Sequence, residues 1–383
     1  MTTEANAMSH PIEVLYLASE MSSFGGAERV NFLVLTGLDR TRFRPRALFI
    51  KRAGEIGQRL VQSGVPVETL HASKRARFPL VLIKTLSYLR ACPVDIVFTA
   101  EDRIGMALAS ILRKRGVISR YVLCFHNTRR HTGVGRLIHP LAVRSADRIV
   151  MLSERNKQFW LKHYPDIDSK ISIVNNGIVI GDARPVSDER RRQRRAELGL
   201  HPDKYTVGLV TFFKQFKNLP AFVRVARLVI DAGIDAQFVL VGDGPERPAV
   251  EKAIADLSVA PHFLLPGTTT DSRKWYEAFD VALMTSDSSE AFPMTLLEAM
   301  SVGLPVVATN VAGIPDIVVH GQTGFIAEPK DIQQLAHYLV QLARAPELRQ
   351  QMGQTGYQRV LTEFNADLMV QRYGQLFEQL MRS

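Results

Sequence analysis

Residues 281–300 read VALMTSDSSEAFPMTLLEAM. Four apolar residues, Val281 to Met284, have the length of a buried strand, a polar loop follows, and from Pro293 the pattern turns helical as far as Gly303. Proline suits a first helical turn, because its missing N–H would be unpaired there anyway. The open N–H groups from about Met294 to Leu296, with the positive end of the helix dipole, make a place for an anionic phosphate. Glu298 falls three residues after Thr295 and on the same helical face, where a carboxylate can accept two hydrogen bonds from a ribose diol. Glu290, in the loop before the helix, is placed to hold hydroxyl groups of a sugar attached to that phosphate. Two other readings compete: ordinary surface charge, or the paired acid and nucleophile of glycoside hydrolysis, which must stand a set distance apart. The strand, loop and proline-started helix favour ligand binding, since open α/β sheets bind ligands at the carboxyl ends of their strands.

The same alternation extends through the chain. Ile12 to Ala18, Arg46 to Ile50, Ile96 to Thr99, Tyr121 to Phe125 and Arg148 to Leu152 read as buried strands in the first half, and Thr206 to Val210, Gln237 to Val241, Val281 to Met284 and Val306 to Thr309 in the second. Amphipathic stretches separate them, so the class is α/β with parallel sheets and right-handed crossovers. With 383 residues the chain is long enough for two domains, and 46% hydrophobic residues supply their cores. Residues 1–185 form the first, 186–203 a charged linker with a short exposed helix, containing Arg190, Arg191, Arg192, Arg194 and Arg195, and 204–365 the second. Residues 366–383 carry apolar side chains at spacings of three and four, an amphipathic helix expected to pack back on the first domain.

Residues 1–185 hold 28 Lys and Arg against 15 Asp and Glu, a balance of +13, whereas 186–383 balance to −3. A surplus confined to one half points to an anionic partner there: a membrane face, a nucleic acid or a phosphorylated acceptor. Basic stretches at Lys74 to Arg77, Arg113 to Arg115 and Arg129-Arg130 would supply such attachment, while Leu82, Ile83, Leu86 and Leu89 are expected in the core. Nucleic-acid binding lacks its interleaved aromatics and recognition motifs. No apolar run approaches a membrane span, the first eleven residues lack the features of a secretory signal, and two cysteines support neither a disulfide framework nor a zinc site. A cytosolic location is expected, with peripheral contact to the inner face of the cell membrane.

Further candidates sit where predicted strands end. Gly25 and Gly26 open the helix after the first strand, but without a full G-x-G-x-x-G a nicotinamide cofactor is not expected. Lys214 and Lys217 follow Thr206 to Val210, where cations can neutralise charge on a departing diphosphate. His126 ends Tyr121 to Phe125, followed by Arg129 and Arg130, which suit acceptor phosphate or lipid headgroups. No His, Asp and Glu cluster has metal-ligand spacing.

The segments SSEAFPMTLLEAMSVGLPVVATNVAGIPDIV at 288–318 and GQTGFI at 321–326 resemble the E-x7-E signature of retaining glycosyltransferases of family four, the glycosyl transferases group 1, which have the GT-B fold. GGAERV at 25–30, NNGI at 175–178 and VGDGPER at 241–247 fall in that family's order. The resemblance implies two Rossmann-like doubly wound domains facing across a cleft. It implies transfer of a hexosyl group with retention from a nucleotide-diphospho-sugar, UDP-sugar above all, to a glycan or lipid-linked acceptor in cell-surface polysaccharide or lipopolysaccharide synthesis; from the residues, neither a cofactor nor a metal is expected. Glu290 would then bind donor-sugar hydroxyls, Glu298 the ribose, the backbone from Phe292 through Pro293, Met294 and Thr295 to Leu296 the diphosphate, and Gly242 would lie near the base. Gly26 would face donor phosphate and acceptor, and His126 would lie near the anomeric centre. Phe212 stands where the family often has Arg, and Val179 where it has Asp. A nucleotide-sugar epimerase of the same fold is the alternative.

Overall fold

The computed structural model describes residues 10–21, 25–72, 78–128 and 133–382. The chain divides into two units, Met1–Asn175 together with Ala366–Ser383, and Asn176–Asn365. In the first, β1 (Ile12–Glu20), β2 (Phe43–Arg52), β3 (Val67–Thr69), β4 (Ile96–Thr99), β5 (Arg120–Cys124), β6 (Arg148–Met151) and β7 (Ile171–Ile173) form one sheet in the order β3-β2-β1-β4-β5-β6-β7. Every pairing is parallel. Leu15, Leu17, Val97, Leu123 and Ile149, from its inner strands, are fully buried, each contributing on the order of 1.5–3 kcal/mol.

In the second unit, β8 (Tyr205–Val210), β9 (Ala236–Val241), β10 (Phe263–Gly267), β11 (Val281–Met284), β12 (Val306–Thr309) and β13 (Gly324–Ala327) form a parallel sheet ordered β10-β9-β8-β11-β12-β13. Each sheet has a point at which connections leave to opposite sides: between β1 and β4 in the first unit, between β8 and β11 in the second. Such a divergence opens a crevice at the strands' carboxyl ends.

The last helix, Ala366–Arg382, belongs to the first unit. Its Tyr373 and Phe377 are buried, and the Phe377 ring packs 6.3 Å from Phe43 and 5.9 Å from Phe98, while Glu378 pairs with Arg42. No helix among the described residues is long and apolar enough to cross a membrane.

The expected domain boundary needs correction. The leading segment of the first unit ends at Asn175, ten residues before the expected 185, and the second unit takes in everything from Asn176, so that 186–203 is no free linker. Helix Asp188–Glu197 starts where the Ser187 hydroxyl accepts the Arg190 N–H, and it packs onto the second unit. Arg195, 4% exposed, donates to Asp280 at 2.5 Å and to the carbonyls of Ala278 and Pro202, and Arg194 reaches Glu277. The run of arginines is thus an anchor as well as a charged surface. Ile83, expected in the core, is 58% exposed, as is Leu80 at 56%; Leu82 and Leu86 pack against the core and Leu89 lies within it.

Arg195→Ala leaves the buried Asp280 carboxylate without its close guanidinium. We expect a loss of about 3 kcal/mol in the stability of the second unit, measured by urea unfolding with separate probes for each unit. A loss below about 1 kcal/mol would make the helix a surface attachment.

Candidate active site

In the second unit the loops after β8 and β11 are tied together at the divergence point. The Asp287 N–H donates to the Phe216 carbonyl at 3.0 Å, and the Thr285 hydroxyl donates to the carbonyls of Lys217 at 3.3 Å and Asn218 at 3.1 Å. Ser289 takes φ +64°, a conformation uncommon for a residue with a side chain, immediately before Glu290. Glu290 is thereby turned inward, with its side chain 7% exposed. Lys217 Nζ lies 2.5 Å from Glu290 Oε1, and the Ser286 hydroxyl donates to the same oxygen at 2.7 Å. Ser286 is fixed in turn by its carbonyl, which accepts the Thr309 hydroxyl. A buried carboxylate of this kind persists because an ammonium and a hydroxyl compensate it.

The helix after this loop is Met294–Ser301, one residue later than expected, with Pro293 as its N-cap at φ −70°, ψ 114°. Of the three N–H groups expected to face an anion, that of Leu296 donates instead to the Pro293 carbonyl at 3.1 Å. Met294 and Thr295 remain in the first turn, whose N–H groups have no partner four residues back. The Thr295 hydroxyl bonds the Val210 carbonyl at 3.3 Å, holding the helix start to the end of β8. Phe292 is buried, its ring 5.3 Å from that of Phe364, and its carbonyl accepts the side-chain amide of Asn176 at 3.1 Å. Glu298 is half-buried one turn into the helix.

The two lysines do not share a place. Lys217 is buried on Glu290, whereas Lys214 is exposed, its ammonium 5.5 Å from the centre of the Phe212 ring. Gly242 has a backbone reason for its identity. It sits at φ +135°, and an added Cβ would lie 1.8 Å from the Thr211 carbonyl oxygen. Gly244, at φ +153°, is likewise pressed against the backbone of Phe213. The two glycines let the β9 turn pass over the loop after β8.

In the first unit Gly25 is the N-cap of helix Gly26–Gly37 and Gly26 its first residue, while residues 22–24 of that loop lie outside the described residues. So do Arg129, Arg130 and the basic stretch at 74–77. The end of β1 is tied to the loop after β4, because Asp102 accepts the Ser19 N–H at 2.9 Å, the Ser19 hydroxyl at 2.5 Å and the Gly105 N–H at 2.6 Å. Beside Asp102, Glu101 was not singled out by sequence reasoning, having no motif around it. Glu101 Oε2 accepts the backbone N–H of His126 at 2.8 Å, that of Asn127 at 3.0 Å and the Asn127 side-chain amide at 2.7 Å. Glu101 Oε1 and both ring nitrogens of His126 are shut off from solvent with no hydrogen-bond partner among the described residues. Burial pushes the Glu101 carboxyl up to about 8, against the opposing pull of its three N–H donors, and pushes the His126 imidazole down to about 4.

The family model described as Glycosyltransferase Family 4 matches residues 24–181, and the one described as Glycosyl transferases group 1 matches residues 190–359. The chain belongs to this family of glycosyltransferases. Over 191 residues, 50% of the chain and 49% of the relative, it is 29% identical to the N-acetyl-alpha-D-glucosaminyl L-malate synthase of Bacillus anthracis. Over 331 residues, 81% of the chain and 85% of the relative, it is 24% identical to the UDP-Gal:alpha-D-GlcNAc-diphosphoundecaprenol alpha-1,3-galactosyltransferase of Escherichia coli. The chain spans about half the length, or less, of the first three curated relatives it matches, 49%, 38% and 49%. The crystal structure of Anabaena HepE in complex with UDP superposes with a TM-score of 0.83 at 18% identity, covering 96% of this chain and 100% of that one. This likeness concerns the fold, which is GT-B.

Because its folded value is raised from 4.5 to about 8, the Glu101 carboxyl contributes stability that is full below about pH 4.5 and lost as pH rises through about 8. Glu101→Gln has no proton to lose there. Its Tm should therefore rise relative to the parent between about pH 5 and pH 9 in thermal melts; a pH-independent difference would mean an ordinary carboxyl.

Proposed function

We propose that this protein is a retaining glycosyltransferase that moves a hexosyl group from a nucleotide-diphospho-sugar, a UDP-sugar foremost, to a glycan or lipid-linked acceptor in cell-surface polysaccharide or lipopolysaccharide synthesis. The observation that carries the reading is the buried Lys217–Glu290 pair at the divergence point of the second sheet, beside the start of helix Met294–Ser301. A carboxylate with one oxygen taken by Lys217 and Ser286 keeps its other oxygen to accept sugar hydroxyls. Lys217, held next to it, and the first N–H groups of the helix would stabilise negative charge growing on the departing diphosphate. Glu298, half-buried one turn on, would hold the ribose. In the transfer, the acceptor hydroxyl oxygen bonds to the anomeric carbon as that carbon's bond to the diphosphate oxygen breaks, and the hydroxyl proton passes to the leaving diphosphate. The relative from Escherichia coli, whose name specifies a UDP-sugar and a diphosphoundecaprenol acceptor, supports the choice of donor and acceptor class.

A thermal-shift screen with UDP, GDP and ADP sugars identifies the donor, and calorimetry with the matching nucleoside diphosphate then tests the roles. Glu298→Gln should weaken nucleotide binding roughly tenfold to a hundredfold, the cost of about 1.5–3 kcal/mol for a charged hydrogen-bonding group, while Glu290→Gln should mainly lower turnover. Lys217→Ala should cost much more turnover than Lys214→Ala. No shift with any nucleotide sugar would sink the reading.

We also propose that the first unit attaches to an anionic membrane face on the cytosolic side. Helices Phe78–Ala91 and Gly135–Ser145 follow β3 and β5, so both begin at the carboxyl edge of the sheet. Near their starts Leu80, Ile83, Val134 and Leu137 are exposed, Leu137 at 78%, and the sequence before each helix is basic. Charge would bring the unit to the lipid and these side chains would enter the interface. Liposome sedimentation should require anionic lipid, fall as salt rises from about 50 to 300 mM, and weaken in Ile83→Glu and Leu137→Glu. Equal binding to neutral vesicles would reject it.

A further inference from the structure

The NNGI motif at 175–178 straddles the start of the second unit, and its Asn176 is 3% exposed. The Asn176 side chain donates from Nδ2 to the Phe292 carbonyl at 3.1 Å, while its Oδ1 is shut off from solvent with no hydrogen-bond partner among the described residues. An unmade buried acceptor is a cost to the fold, and an apolar side chain of the same size would avoid it. What the asparagine adds is therefore its N–H on Phe292. The surroundings hold both partners in place. The Ile178 N–H donates to the Phe364 carbonyl at 3.0 Å, the Phe364 ring packs 5.3 Å from that of Phe292, and the Arg359 guanidinium lies 5.0 Å over Phe364. Arg359 also donates to the carbonyls of Asp316 at 3.0 Å and Ile317 at 3.1 Å, in the short helix Ile314–Ile317. Just before that helix the Gly313 N–H donates to the Glu290 carbonyl at 2.8 Å. The backbone is thus fixed on both sides of Ala291, at Glu290 by Gly313 and at Phe292 by Asn176.

The peptide that Asn176 holds, Phe292–Pro293, has a carbonyl but, because of the proline, no N–H. It stands directly before helix Met294–Ser301, whose first N–H groups, those of Met294 and Thr295, have no partner four residues back and can receive an anion. A Phe292 carbonyl swung toward them would present its negative end to that anion, with no N–H in its own peptide to offset it. The next carbonyl, that of Pro293, is already engaged by the Leu296 N–H at 3.1 Å. We propose that Asn176 is a positioning residue for diphosphate binding: by holding the Phe292 carbonyl it keeps that negative end off the diphosphate and leaves the first helical turn positive. The assignment rests on the reading of this helix start as the diphosphate site of a glycosyltransferase, and within it Asn176 acts through Phe292 without touching the ligand. The helix start itself is held separately, by the Thr295 hydroxyl on the Val210 carbonyl, so replacing Asn176 frees one peptide and leaves the helix where it is. Because charge grows on the diphosphate as it departs, the loss should be larger in turnover than in binding.

The test uses the full chain, with UDP, GDP and ADP titrated by calorimetry and inorganic pyrophosphate as a probe that has no base. Asn176→Leu keeps the volume and removes the orphaned oxygen together with the donor, so it should melt close to the parent in circular dichroism. It should nevertheless bind the diphosphate about fivefold to tenfold more weakly, the worth of one hydrogen bond. Affinity for the corresponding nucleoside, which carries no phosphate and is followed by saturation-transfer NMR, should be equal in the two proteins, whereas damage to the fold would weaken both ligands alike. Asn176→Asp supplies an O–H donor when protonated and a repelling oxygen when ionised. Relative to the parent at the same pH, its diphosphate affinity should be close to parental at about pH 5 and about tenfold lower at about pH 9. If Asn176→Leu does not fold, this pH contrast decides, since the Asp side chain has the shape of Asn. Equal diphosphate affinity in Asn176→Leu and the parent, equal weakening of nucleoside and diphosphate, or a parent that binds no diphosphate would overturn the proposal. Diphosphate binding that behaves as expected while no nucleotide sugar supports transfer would leave the proposal standing and count against the glycosyltransferase reading alone.

Discussion

A carboxylate taken out of water must be compensated, and in the second unit this requirement organises everything around the candidate site. Glu290 is buried because Ser289 turns the chain inward, and it can remain buried because Lys217 and Ser286 meet one of its oxygens. Those partners come from different loops, so compensation requires the loops after β8 and β11 to stay together. Thr285, bonded to the carbonyls of Lys217 and Asn218, and the Asp287 N–H, bonded to Phe216, keep them so. Removal of either charged partner would leave the other buried and uncompensated, which is more damaging than replacing the pair by apolar groups. An apolar pair of equal volume would serve the fold as well. The presence of charge is therefore better understood from what the site has to bind.

The first unit solves the same problem differently. Glu101 stands at the corresponding place, after a strand that borders the divergence point, but it has N–H donors in place of an ammonium. Three N–H groups on one oxygen do not offset the loss of water, and the carboxyl is pushed up to about 8. One unit thus presents an ion pair and the other an uncharged acid beside an uncharged imidazole. An ion pair suits a ligand whose charge changes during reaction, and a neutral pair suits one that is uncharged throughout.

How far these features were legible in the sequence depended on their burial. Inner strands such as β4, β11 and β12 lie between two covered faces and read as continuous apolar runs, so their limits follow directly from the residues. The edge strands β3, β7 and β10 are only partly covered, and VET, ISI and FLLPG carry no such run. Helix Asp188–Glu197 is expected from the sequence as a short exposed helix in a linker, and its packing stayed hidden for a related reason: its contact with the second unit is made by guanidinium groups, and arginine in a sequence gives no sign of whether it is solvated or paired. Lys217 and Lys214 were equivalent as letters. Their separation comes from the turn at Gln215–Lys217, which buries one and leaves the other outside. Glu101 lacked any flanking signal, since its partners are backbone groups 25 and 26 residues away.

Gly242 shows the opposite case, a motif that was visible in the sequence and whose backbone reason was not. In VGDGPER the glycines mark the place where the turn after β9 crosses the loop after β8 so closely that a Cβ would strike the carbonyl oxygen of Thr211. The contact accounts for the residue without any ligand. Yet the same crossing bonds the Phe213 N–H to the Asp243 carbonyl at 2.9 Å and so sets the course of the loop that carries Lys217. A substitution at Gly242 would act on the site by moving that lysine. Backbone packing and ligand binding are here successive links of one chain of cause, and the glycine belongs to the earlier one.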